Sequence, residues 1–238
     1  MANPMRLAIL LSSALLTAAY AGAASARPTA VVVSAMANIY GAGRADPPGG
    51  GILPPSVTLK HHDQCVTFTK VRGSLRHAKR AAPCPTVDRC ITIDDNEAEH
   101  THLNDPDGVG AYPPTSSNTG YKSISGIKAP FAGYLVGVFV DKHGPKGEAP
   151  PALDFTTGAG TAFATLAPLL NQTFFIGDGL TGDDTGTLQT FTVPDKAATL
   201  YLGISDADGF NGSPGAYFDN VGEFKVDVET SKESCPTG

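Results

Sequence analysis

Asp206, Asp208, Asn211, Asp219 and Asn220 fall within one short stretch, Asp206-Ala-Asp208-Gly-Phe-Asn211-Gly-Ser-Pro-Gly-Ala-Tyr-Phe-Asp219-Asn220-Val-Gly222. Three carboxylates and two amides supply hard oxygen donors, and the glycines between them let backbone carbonyls turn inward. Calcium takes about six to eight such oxygens from a loop that can flex. The stretch is not an EF-hand, because the twelfth position from Asp206 is Tyr217 rather than Glu. The competing reading is a long polar loop whose Asp and Asn side chains cap its own turns.

A second tract, Asp94-Asp-Asn-Glu-Ala-Glu-His100-Thr-His102-Leu-Asn-Asp105-Pro-Asp107-Gly108, is richer in potential ligands but lacks a defined setting. In an extended chain His100 and His102 share a face, and paired imidazoles suit zinc or copper. A third ligand is not assignable, so a solvated polar loop is the preferred reading. Asp105-Pro-Asp107-Gly108 hints at a calcium turn without the rest of the loop. Enzyme signatures are missing: there is no G-x-S-x-G, H-E-x-x-H, Walker loop or Rossmann glycine pattern. Ser205, Asp206 and a histidine could form a triad only by folding together, and nothing local marks a nucleophile.

The elements that must position these residues are short. Gly and Pro number 27 and 19, there is no Trp, and charged residues are 17%. That composition excludes a helical bundle or coiled coil. Apolar runs separated by Gly, Pro, Asn and Asp predict strands at Ala30–Ser34, Ala37–Tyr40, Ser56–Leu59, Cys65–Val71 and Arg89–Ile93. Further strands are expected at Tyr121–Ile127, Gly133–Val140, Leu188–Val193, Thr199–Ile204 and Glu223–Val228. Phe224, Val226 and Val228 alternate with charged residues, as in a half-wet antiparallel sheet. Tyr134-Leu-Val-Gly-Val-Phe-Val140 is apolar on both faces and reads as a central strand. Only Thr161–Leu170 has room for a helical turn. Residues 41–55 and about 78–119 read as loop insertions. The expected fold is all-β, a jelly-roll-like antiparallel sandwich in a single domain over 27–238.

Val193-Pro-Asp-Lys-Ala-Ala-Thr-Leu-Tyr-Leu-Gly-Ile-Ser-Asp206, followed by Asp219-Asn220-Val-Gly222-Glu-Phe224-Lys-Val226, resembles the end of the small bacterial calcium-dependent galactose-binding lectins. Three further blocks are similar to exported relatives of those lectins. They are Ala37-Asn-Ile-Tyr-Gly-Ala-Gly43 with Leu53-Pro-Pro-Ser-Val57, Ile124-Ser-Gly-Ile127 with Gly133-Tyr-Leu-Val-Gly-Val-Phe139, and Phe174-Phe-Ile-Gly-Asp-Gly-Leu180. The resemblance implies a galactose-binding-domain-like sandwich with one Ca2+ in its last long loop. Asp206, Asp219 and Asn220 would ligate the ion by side chain, with backbone carbonyls from Ala216 and from near His77. Sugar hydroxyls would then bind at the ion beside Asp206, Asp219 and Asn220. Two departures stand out. The His-x-x-Gln that contacts sugar in the family has no counterpart in Tyr121–Ile127, and Asp219 replaces an amide in a loop about six residues longer.

Residues 1–26 read as a secretory signal peptide: Arg6, then apolar Leu7 to Ala19 broken by Ser12, Ser13 and Thr17, then Ala24-Ser25-Ala26. No later run approaches the roughly 18 apolar residues of a membrane span. The expected location is therefore periplasmic or extracellular. Cleavage removes one Arg from the 17 basic residues and none of the 23 acids. Six basic residues lie from Lys60 to Arg80, but with little aromatic interleaving they suggest a solvated edge rather than a nucleic-acid site. Four cysteines in an exported chain imply disulfides, with three pairings open. Cys84 with Cys90 would close a short loop, and Cys65 with Cys235 would tie an early strand to the tail. A Cys–His zinc site is the alternative. The function expected is a non-catalytic calcium-dependent module for carbohydrate or another diol-bearing surface ligand. A surface protein that uses calcium only for rigidity is the second reading, and a hydrolase without a local motif the third. The sugar and the oligomeric state are not legible.

Overall fold

The structure is a computed structural model that describes residues 28–76, 104–110 and 115–236. Cys84, Cys90, His77, His100, His102, the expected strand at Arg89–Ile93 and the leader segment lie outside the described residues. In chain order the first strands are β1 (Thr29–Ser34), β2 (Ser56–Thr58), β3 (Cys65–Arg76), β4 (Val109–Gly110), β5 (Ser116–Tyr121) and β6 (Ile124–Ala129). Then come β7 (Phe131–Ala132), β8 (Leu135–Asp141), β9 (Leu153–Asp154), β10 (Thr165–Leu166), β11 (Thr173–Phe175) and β12 (Leu180–Gly182). The chain continues through β13 (Thr185–Leu188), β14 (Thr190–Thr192), β15 (Ala197–Ile204), β16 (Asn211–Gly212) and β17 (Val221–Ser231).

The protein is an all-β sandwich. A five-stranded sheet, β1-β17-β3-β14-β10, faces a four-stranded sheet, β11-β8-β15-β2. Alternation decides which side chains go inside: Phe224, Val226 and Val228 of β17 are buried, whereas Glu223 and Lys225 are exposed. Phe68, Phe191, Phe174 and Phe139 pack in a row across the gap at centroid distances of 5.1 to 5.2 Å, edge-on between Phe68 and Phe191 and stacked between Phe174 and Phe139. Burial of each ring contributes about 1.5–3 kcal/mol. The other face of β8 buries Val136, Val138 and Val140 against Ile124, Ile127, Tyr134 and Phe175. There a third layer, β16-β5-β6-β9, covers it. β8 is thus buried on both sides, as its unbroken apolar run requires.

Several sequence expectations are corrected. Ala37–Tyr40 is not a strand: Ala37 and Asn38 make isolated bridges to Ile52 and Ile204, and Ile39–Gly41 is a 3-10 turn. The Asn38 side chain accepts from the Tyr40 amide and so starts that turn. Tyr121–Ile127 is split between β5 and β6, with Lys122 at φ 52° in the connection. The second insertion is shorter than expected, since β5 begins at Ser116. Thr161–Leu170 holds no helix, only turns and the short β10. The pairing Cys65–Cys235 is present, joining the start of β3 to the tail.

Residues 41–55 are a fitted element rather than a loose loop. Asn38 Nδ2 donates to the carbonyls of Pro48 (2.6 Å) and Gly50 (2.9 Å). Gly49 at φ 72° lies so close to the stretch after Asp206 that a Cβ there would sit 2.0 Å from the Pro214 oxygen. Gly49→Ala is therefore expected to lower stability by about 1–3 kcal/mol. Thermal unfolding checks this, and an unchanged melting temperature would show that the two loops separate freely.

Candidate metal centre

Asp206 follows β15 and Asn220 precedes β17, strands that belong to different main sheets. The stretch between them crosses one end of the sandwich and is not a hairpin loop. Its ends are nevertheless joined, because Asn220 Nδ2 donates to Asp206 Oδ2 at 2.9 Å. The same amide nitrogen donates to the Ala35 carbonyl at 3.0 Å, which ties the end of β1 to the site. Asp206 Oδ1 accepts from the Ala207 amide at 2.8 Å. Its backbone is also held: the N–H donates to Tyr217 Oη, and the carbonyl accepts from Asn118 Nδ2 at 2.7 Å.

Asp206 is 3% exposed and Asn220 4%. Burial pushes the Asp206 carboxyl up to about 7, against lowering by the Asn220 and Ala207 hydrogen bonds, with nearby Asp219 raising it further. Asn220 spends its amide nitrogen on two acceptors, which leaves its buried Oδ1 without a donor. An orphaned buried acceptor costs about 1–3 kcal/mol, and a cation is one partner able to satisfy it. Ala216, at φ 65°, starts the 3-10 turn Tyr217–Asp219 that brings Asp219 toward Asp206. Phe210 at φ 62° is a second non-glycine residue of this loop in the left-handed region. Arg76, the residue before His77, pairs with Val221 next to Asn220. The structure thus brings Asp206, Ala216, Asp219 and Asn220 together.

Tyrosines not singled out by the sequence reading form the floor. Tyr217 Oη donates to the Ile204 carbonyl at 3.0 Å, and Tyr40 Oη shares a 2.8 Å hydrogen bond with Ser205 Oγ. Burial raises the phenols of Tyr40 and Tyr217, and pushes Tyr134 up to about 12. Ser205 is therefore a buried partner of Tyr40. The described histidines, His61, His62 and His143, lie at the other end of β15. Asn118, in a run that reads as polar loop, had no sequence signal for its contact with Asp206.

A second carboxylate group joins Asp105 and Asp107 to Asp183, with ligand atoms within 4.8 Å of one another, and could hold a metal ion. Burial is the main cause that lifts Asp107 to about 7 and raises Asp105 and Asp178. Here, however, the acceptors already serve the backbone. Asp107 Oδ1 takes the Asp178 amide, and the two oxygens of Asp178 take the amides of Leu180 and Asp184. Among the described residues no buried acceptor is orphaned in this group.

No family model, curated protein or solved structure matches the chain. The lectin resemblance accordingly rests on the quoted blocks alone.

Proposed function

We propose that the chain is an exported, non-catalytic module in which the 206–220 loop holds a calcium ion and presents it to a carbohydrate or another diol-bearing ligand. The observation that carries this reading is the orphaned Asn220 Oδ1 beside the buried Asp206 carboxylate. Asp206, Asp219 and Asn220 would hold the ion by side chain, with the Ala216 carbonyl beside them. The donor set is all oxygen, which suits a hard cation. Export fits the Cys65–Cys235 bridge, since disulfides persist in oxidising compartments. Among the described residues no helix is long and apolar enough to cross a membrane.

The depth of Asp206 and Asn220 favours a second reading, in which calcium only rigidifies the fold. An ion held by side chains 3–4% exposed has little surface for a sugar. Asp219 is half-buried and is the most exposed of the three side-chain ligands.

Calcium at a hundredfold excess over its dissociation constant is expected to stabilise the native state by about 2.7 kcal/mol. For a chain of this length that is a rise of about 5–10 °C in melting temperature. Asp206→Ala and Asp219→Ala should each lose the rise. If both keep it and Asp107→Ala loses it, the ion belongs to the second carboxylate group. Glycan binding measured with calcium and with chelator then separates the two readings. A simple hexose should bind with a dissociation constant of about 1 mM, or about 4 kcal/mol. A demonstrably bound ion without any chelator-sensitive glycan binding leaves calcium the structural role.

A further inference from the structure

The end of the sandwich opposite Asp206 carries an open cleft of about 1300 Å³. β15 separates the two places: Lys196 precedes its first residue and Asp206 follows its last, and eight residues of strand span roughly 25 Å. Three turns at neighbouring strand ends build the cleft, because β15 pairs with β2 on one side and β8 on the other. The turn after β2 supplies Lys60, His61 and His62; the one after β8, Lys142 and His143; and the one before β15, Lys196. All six side chains are exposed. None of them makes an ion pair with a described residue.

The acids of the same turns are largely occupied. Asp63 is buried, and its Oδ2 accepts from the Lys60 amide at 2.8 Å. Asp141 Oδ1 accepts from the His143 amide at 2.5 Å. Each carboxylate thereby closes its own turn and leaves the lysine and imidazole heads outward. Asp195 alone remains as an exposed acid in the lining. The floor is fixed covalently, since Cys235 lines the cleft and is bonded to Cys65, while Ser234 Oγ donates to Gln64 Oε1 at 2.9 Å.

We propose that this cleft binds a segment of acidic polysaccharide, its carboxylate or sulfate groups seated among Lys60, Lys142, Lys196 and the three histidines. The volume exceeds the roughly 300–1,000 Å³ of a small-molecule site and admits several sugar residues. No Phe, Tyr or Trp lines it, so it lacks the large stacking platforms that single-stranded nucleic acid favours. The three lysine heads point outward, whereas Asp63 and Asp141 are engaged by the backbone amides of their own turns. Binding between exposed charges weakens with salt.

The test uses the oxidised full chain and four probes: oligogalacturonate, a heparin-derived oligosaccharide, a neutral dextran oligosaccharide and inorganic phosphate. Calorimetric titration should show binding of at least one acidic oligosaccharide and none of dextran. Affinity should fall several-fold as ionic strength is raised from about 0.05 M to about 0.5 M. Lys60→Gln/Lys142→Gln/Lys196→Gln should weaken it by about tenfold or more. A melting temperature within about 2 °C of the wild type serves as the fold control for that variant. Absence of binding by either acidic oligosaccharide, or binding that survives the triple substitution, overturns the proposal. Phosphate binding as tightly as the oligosaccharides would make the cleft a small-anion site and overturn it equally.

Discussion

The double variant Cys65→Ser/Cys235→Ser is expected to lose about 2–5 kcal/mol of stability. The bridge spans a sequence separation of 170 residues, and the loop-closure entropy of so long a loop corresponds to about 5 kcal/mol, an upper value. What it fastens is the far end of the chain. β17 stops at Ser231, and from there the tail is held by Ser234 Oγ on Gln64 and by Thr165 Oγ1 on the Pro236 carbonyl. Without the bridge these two polar contacts, each worth about 1 kcal/mol, must order the tail alone. β3 and β17 pair along their whole length independently of the tail, so the sheet itself should persist. Melting temperature should fall by about 5–15 °C with a native-like circular dichroism spectrum at low temperature. Leaving Cys84 and Cys90 untouched confines the change to this bridge. A fall under about 2 °C would mean that the tail contributes nothing to the native state. The same variant should also loosen the basic cleft, whose floor includes Cys235.

The fold was legible where period and burial agree. β17 alternates from Glu223 to Glu229, which marks its buried face, although its register with β3 shifts between Asp227 and Val228. β8 could be read as central because both of its faces are apolar. The third layer was not legible, because Ser116-Ser-Asn-Thr-Gly-Tyr121 has the composition of a loop. Those residues become a strand through pairing with β6, a tertiary cause that local propensity does not contain. The Ala37–Tyr40 error has a similar origin. Its apolar residues are buried as expected, but the Asn38 cap turns the backbone to meet the glycine-rich loop. Within the candidate metal centre the oxygen-rich residues were visible as a cluster. Asn118 and Tyr40 come from distant segments and carry no local mark, whereas Tyr217 lies inside the stretch but is not an oxygen-rich residue of the cluster. The cleft was less legible still. Lys60 reads as the start of a basic edge, whereas its companions Lys142 and Lys196 lie 82 and 136 positions further on.

In the metal-free protein, stability is expected to fall as pH rises from about 4 to about 7, and Asp206 is, with Asp107, one of the two largest named causes. The sign follows from the direction of the shift. Burial lifts the folded-state carboxyl from 3.8 to about 7, so in that window the native state holds a proton that the unfolded chain has released. Stability then decreases with pH, opposite to the trend of a salt-bridged carboxylate. A shift of this size corresponds to on the order of 4 kcal/mol between the two ends of the window. Asp105, Asp107 and Asp178 are raised by burial too and add slope of the same sign. Asp206→Asn isolates the share of Asp206, because the amide cannot ionise. That variant changes absolute stability as well: an amide nitrogen facing Asn220 Nδ2 would set two donors against each other. Relief by turning the Asn220 amide would give up its bond to the Ala35 carbonyl, at about 1 kcal/mol. The slope, not the absolute value, is therefore the quantity to compare. With chelator present, denaturant titrations across this range should give a markedly flatter profile for Asp206→Asn than for the wild type. Calcium should flatten the wild-type profile in the same way, since a cation beside the carboxylate favours its charged form. Parallel profiles for the two proteins would show that Asp206 ionises freely, and the buried carboxylate on which the metal centre depends would be lost with it.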